Sequence, residues 1–156
     1  MAMRDLKHSI AIDESLNAIV KSADTNCTAV DSQGFSSVTH VVNVGANGIT
    51  FSSSNKVDIK LEDSDDNSTF SAVTSNTHVV GATVDSSGIF QTIDADGDCN
   101  AVYAIGYVGG KRYSRVVLDF SGTHGTGTIF GVVGVKGHPL HGPTSNQANE
   151  IGRAHV

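Results

Sequence analysis

The stretch Asp94-Ala95-Asp96-Gly97-Asp98 places carboxylates at alternate positions, the spacing with which a calcium loop offers oxygens to a hard cation. A complete loop also needs a bidentate glutamate late in its length. Here Cys99, Asn100 and a strand-like run follow instead. An Asp-Gly turn between strands accounts for Asp94, Asp96 and Asp98 without an ion, so they remain a calcium candidate and nothing stronger. Asp63 to Asp66, in the run DSDD, read the same way, as a solvated turn. His124 lies in a Gly/Thr loop, and His138 and His141 stand three apart near the C-terminus. Three imidazoles could ligate a metal, but no regular element fixes their geometry and no carboxylate completes the set, so they are expected to be exposed loop histidines. Cys27 and Cys99 form no CxxC pair and no disulfide framework; two small buried thiols are the expectation. GTHGTGT lacks both the Gly-Lys-Ser/Thr ending and the following helix of a phosphate-cradling loop. No Ser-His-Asp or Cys-His arrangement stands out from the many serines that turns require. The expectation is a protein without catalytic residues or cofactor.

Charge narrows the partners. The chain carries Lys and Arg 10 times against Asp and Glu 16 times, a net charge of -6. Its basic cluster is Lys111, Arg112 and Arg115, and strand alternation puts Arg112 on one face and the other two on the opposite face. No basic stripe forms, which argues against a general nucleic-acid binder. These three residues, with His138 and His141, are the candidates for interaction with a partner. The start, MAMRDLKHSIAIDESL, has no continuous apolar core of a signal peptide, and no stretch approaches the length of a membrane span. A soluble protein made in the cytoplasm is expected, with no membrane partner.

The elements that would position these residues are strands. Gly is abundant at 17, Pro almost absent at 2, Trp missing, and Val, Thr, Ser, Asn and Asp crowd the chain. Val and Thr favour a pleated, half-buried surface, and Gly, Asn and Asp favour tight turns. KVDIKLED alternates strictly, with Val57, Ile59 and Leu61 on one face and Asp58, Lys60 and Glu62 on the other. SVTHVVNV, NGITF, FSAV, THVVGATV, GIFQTI and TIFGVVGV read as further strands. YAIGYVGGKRYSRVVLDF, residues 103–120, reads as a hairpin, with Gly109-Gly110 supplying positive φ at a two-residue turn. Tyr103, Ile105 and Tyr107 would line one face of it, and Val116, Leu118 and Phe120 one face of the return strand. At the N-terminus HSIAI alternates like a short strand, whereas ESLNAIVKS fits a helical turn or another strand.

The fold class expected is therefore all-β: a single-domain antiparallel β-sandwich, jelly-roll-like, of about eight to ten short strands with an extended C-terminal arm. Residues 1–22 are read as an N-terminal segment or arm, 23–136 as the sandwich, and 137–149 as the C-terminal arm, where Pro139 and Pro143 are expected to prevent regular structure. Glu150 to Val156, EIGRAHV, are what the start of a common sequencing-library adapter encodes, and are set aside from the fold.

KVDIKLEDSDDNSTFSAV, YAIGYVGGKRYSRVVLDFSGTHGTGT, a closing strand and GHPLHGP together resemble a group of small head proteins of tailed bacteriophages. The resemblance covers roughly residues 37–143 and implies a capsid decoration (cement, or auxiliary) protein on the exterior of a virion. Its implied partners are the major capsid protein and further copies of itself, as trimers or dimers at symmetry sites of the shell. Another phage structural part, a tail-tube, connector or fibre subunit, is the alternative. The S-D-D-x-S/T turn and the later R-Y-x-R-V strand also resemble discoidin-like jelly rolls, many of which bind carbohydrate. Phe70 stands where those domains usually carry Trp, which leaves few aromatic platforms for sugars.

Overall fold

A computed structural model describes residues 4–141 and 144. Eleven strands follow one another: β1 (Ile10–Lys21), β2 (Thr25–Asn26), β3 (Val30–Asp31), β4 (Phe35–Val44), β5 (Lys56–Ser64), β6 (Ser71–Ala72), β7 (Val79–Val80), β8 (Ile89–Ile93), β9 (Ala101–Tyr107), β10 (Tyr113–Ser121) and β11 (Thr128–Pro139). They form two antiparallel sheets packed as a sandwich, which establishes the all-β, single-domain class. The front sheet has the order β1-β11-β4-β9-β7. The back sheet centres on β10 and β5, with β2 and β3 along one side of that pair and β6 and β8 along the other.

The strict alternation of β5 does what its pattern requires. Val57, Ile59 and Leu61 are fully buried; Val57 and Ile59 meet Val42, Val44, Phe130 and Val132 of the front sheet in one core cluster, and Leu61 belongs to a second. That second cluster, around Ile105, Tyr107, Val79 and Val84, extends the core toward the arch described below. Cys27 and Cys99 are buried free thiols, and burial pushes the Cys27 thiol up to about 12.

Several expectations are corrected. β1 is one twelve-residue strand along the edge of the front sheet, so residues 10–21 belong to the sandwich and not to an arm. Register shifts between Glu14 and Leu16 and between Leu16 and Ile19 interrupt its alternation, which is why the sequence pattern looked divided. NGITF is not a strand; it is a loop whose Phe51 is buried. THVVGATV contributes only the two residues of β7. Pro139 does not prevent regular structure, because β11 runs through it, opposite Phe35. Leu140 donates its N–H to Gly34 O on the β4 side (2.9 Å). Pro139 nitrogen therefore points the other way, toward β1, which has already ended at Ile10 opposite Gly137. No ladder bond is lost there.

Residues 103–120 are not a hairpin. β9 pairs with β4 and β7 in the front sheet, whereas β10 pairs with β5, β2 and β3 in the back sheet. The connection, residues 108–112, is an arch that carries the chain across the sandwich. The faces were legible all the same: Ile105 and Tyr107 on one side, and Val116 and Leu118 on the other, are buried against the shared core. Period-two alternation marks which side of a strand is buried but does not distinguish strands paired in one sheet from strands stacked across two. Neither Gly109 nor Gly110 has positive φ. Gly109 is needed for space, because a Cβ there would sit 2.5 Å from Tyr107 Oη and equally close to its ring.

Thr144 and the start of β1 meet on the sandwich itself. Thr144 is buried, gives its N–H to His8 O (2.9 Å) and its hydroxyl to Lys7 O and Ile10 O. The remainder of the expected arm, with Pro143, and Glu150 to Val156 lie outside the described residues.

Candidate interaction surface

The expected chemistry-bearing residues are engaged within the fold. In the Asp94–Asp98 loop, Asp96 Oδ1 accepts the Phe51 N–H (2.9 Å), and Asp98 Oδ2 accepts the N–H groups of Asp94 and Ala95 (3.2 Å each). The carboxylates shape a turn and hold Phe51 in place. Among the described residues no group of three or more His, Cys, Asp or Glu side chains could hold a metal ion. In the DSDD run, Asp63 and Ser64 are buried rather than solvated. Asp66 Oδ1 accepts the N–H groups of Ser68 and Thr69 (2.9 Å each), which holds its carboxyl below the usual range.

His124 is corrected from an exposed loop histidine to a buried one. Its Nε2 lies 2.8 Å from Ser121 O and 3.1 Å from Lys56 O, so the proton sits on Nε2. Its ring packs edge-on against Phe120. His138 and His141 are exposed; His138 takes a left-handed φ of 51° and its Nδ1 meets Ser37 Oγ at 2.5 Å. The three imidazoles do not converge.

The basic cluster is paired within the chain. Arg112 grips Asp31 with two bonds of 2.8 Å and holds that carboxyl below its usual pKa. Arg115 donates to Glu62, directly opposite on β5, at 2.7 and 2.9 Å, while its guanidinium stacks 3.9 Å from the centre of the Phe70 ring. Lys111 Nζ lies 3.3 Å from Asp63 Oδ1. Asp63 Oδ2 also accepts the Tyr107 hydroxyl (2.7 Å), and Tyr107 Oη receives the Lys111 N–H (3.2 Å). Burial, then the bond to Asp63, pushes the Tyr107 phenol far above its ordinary pKa. This knot ties the arch to β5. Replacing Tyr107 with Phe is expected to cost about 1–3 kcal/mol, because Asp63 keeps its burial and loses a donor; thermal unfolding of the variant measures it, and an unchanged midpoint would refute the role.

The same pairing runs along the outer face of the back sheet. Asp58 and Asp119 stand directly opposite one another, an arrangement that is unfavourable alone. Lys60 binds Asp119 at 2.6 Å, Lys56 reaches Asp58 at 3.6 Å, and the Thr92 hydroxyl donates to Asp58 (2.8 Å). With Arg115 and Glu62 the face is charged but balanced.

The outer face of the front sheet is of another kind. Register places Ile12 opposite Val135, Val20 opposite Ile129, Val133 opposite Val41, and Val41 opposite Ala104. Val102 is 62% exposed and Val20 52% exposed. Among these strands runs a groove of about 330 Å³, lined by Ala18, Val41, Val102, Gly131 and Val133, with Glu14 and Asn43 among its polar groups and no Lys or Arg among its lining residues. A contiguous apolar patch of this kind on a folded surface marks an interaction site rather than ordinary scatter. A second cleft, of about 290 Å³, lies under the arch, but its cations Lys111 and Arg112 are the ones already bound to Asp63 and Asp31. The aromatic residues a sugar would stack on are engaged: Tyr107 is buried, the half-buried Tyr103 donates its hydroxyl to Asp98 O (2.6 Å), and the rings of Tyr113 and Phe70 are covered by Arg112 and Arg115.

What fold and surface define is a β-sandwich with charges paired on one broad face and a largely apolar, valine-rich opposite face that carries Glu14 in its groove. No protein-family model and no curated protein matches the chain.

Proposed function

We propose that this is a non-catalytic structural protein of a tailed-bacteriophage virion, a decoration protein that binds and stabilises the outside of the capsid. One observation carries the non-catalytic part of the reading: the acids, bases and cations of the described residues that sequence reasoning singled out are largely bound to one another or to backbone, whereas a grooved, largely apolar sheet face is left for contact. A protein arranged this way acts by occupying a surface. The virion context is supported by the resemblance of residues 37–143 to small phage head proteins. Rigid sheets and many repeated contacts suit a cement role, because weak contacts multiplied over a symmetric shell sum to strong attachment. Co-sedimentation with expanded shells of the phage's major capsid protein tests it. Saturation at a multiple of about sixty copies per shell is the expected result. No binding to expanded shells would overturn the decoration role and favour a tail or fibre part.

A further inference from the structure

The outer face of the front sheet has the composition, shape and extent of a self-associating surface, and we propose that its occupant is a second copy of this chain, stacked face to face about a twofold axis. The inference does not depend on the virion reading, since it concerns the protein alone in solution.

Three features favour a second copy. The first is charge. In a twofold contact, residues near the axis meet their own copies, so a charged residue there repels itself. The front face offers Ile12, Val20, Val41, Val102, Ala104, Ile129, Val133 and Val135, and among the groove-lining residues Glu14 is the one ionisable group. The back face would have to bury the Asp58–Lys56 and Asp119–Lys60 pairs, at a desolvation cost the front face does not carry. A chain of net charge -6 pairs with itself most readily through a face poor in carboxylates.

The second is relief. Gly131 leaves the floor of the groove without a side chain, and Val102 rises beside it as its most exposed apolar wall. Knob and hole lie on one face, so a twofold rotation can place each Val102 in the other copy's groove. The third is extent. The five strands, of twelve, twelve, ten, seven and two residues at about 3.3 Å each and about 4.8 Å apart, outline a face of roughly 700 Å² in projection. A stable dimer buries about 800 Å² on each partner, a size the front sheet approaches when the whole face is in contact. Two sheets stacked about 10 Å apart would repeat the geometry of the sandwich core itself.

Sedimentation velocity of the full chain between about 1 and 100 µM tests the proposal, the upper limit allowing for micromolar affinity. The expected species has twice the chain mass of 16.2 kDa. Val102→Arg should weaken the dimer at least about 100-fold by placing an unpaired cation in the contact. Asn43→Arg, at an already exposed polar position opposite Val102 in the ladder, should do the same without disturbing the core. Lys60→Ala, on the back sheet, should leave the dimer intact. A wild-type monomer throughout this range overturns the proposal, as does a dimer that survives both arginine variants with their circular dichroism unchanged. Binding of a monomer to capsid shells through Val102 and Asn43 would assign the face to the shell and likewise overturn it. A dimer that fails to bind shells would sustain this inference while refuting the decoration role.

Discussion

Lowering the pH from 7 to 4 is expected to remove about 3 kcal/mol of folding stability through one side chain, His40. The residue sits on β4 with no exposed surface, its Nε2 bonded to Ser114 Oγ of β10 (2.8 Å), so it joins the two sheets through the middle of the sandwich. Its Nδ1 has no partner among the described residues. A second ring proton would therefore be a buried, uncompensated donor on a buried charge, and burial pulls the imidazole down from 6.5 to about 4. Between those values the unfolded chain binds the proton and the folded chain does not, so stability rises with pH across the window. The contribution is complete above about 6.5 and is lost as pH falls, fully so below about 4. Urea unfolding midpoints from pH 4 to 7 measure the slope. His40→Gln, which cannot titrate, should flatten it; an identical slope in the variant would sink the assignment to His40.

Phe130→Ala should cost about 3–5 kcal/mol, a large share of the stability of a domain this size. Phe130 is the largest fully buried side chain, and it lies on β11, the strand between β1 and β4. It packs edge-on with Phe120 of the back sheet, ring centres 5.9 Å apart, so truncation opens a void between sheets whose backbones are fixed by their ladders. Equilibrium denaturation gives the loss directly. A cost under about 1 kcal/mol would mean that the core collapses into the gap and that the packing described is not what holds the sheets together.

How much of this was legible can be judged from particular strands. KVDIKLED shows its core side residue by residue at Val57, Ile59 and Leu61, but the opposite side is not simply wet: Asp58 is buried, and Lys60 and Glu62 are half-buried in their ion pairs. The ion pairs across β10 and β5 could not be read from it, since register is a property of two strands and only one was in view. The apolar front face did leave a trace. SVTHVVNV and TIFGVVGV carry valine runs that do not alternate with charge, which is how a strand reads when both its faces are apolar. They registered as strong strands and not as a surface. His124 was misplaced because Gly and Thr around it signal a loop, and a loop's composition says nothing of whether one of its side chains turns inward. β1 was obscured by its own bulges.

The pairing of β1 has a consequence for how the chain comes to be folded. Among the described residues β1 finds its ladder partner only in β11, with Ile10 opposite Gly137, and β11 also separates β1 from β4. While the chain grows from the ribosome, the first strand waits for the eleventh, whereas the fourth can already pair with β9. The front sheet cannot close until β11 has emerged, and its β1–β11 ladder joins residues as far apart as Ile10 and Gly137. Such topologies fold slowly, in milliseconds to seconds, because a long loop must be closed before any of its contacts forms. The front sheet is thus closed late, with β11 as the strand that locks β1 to β4.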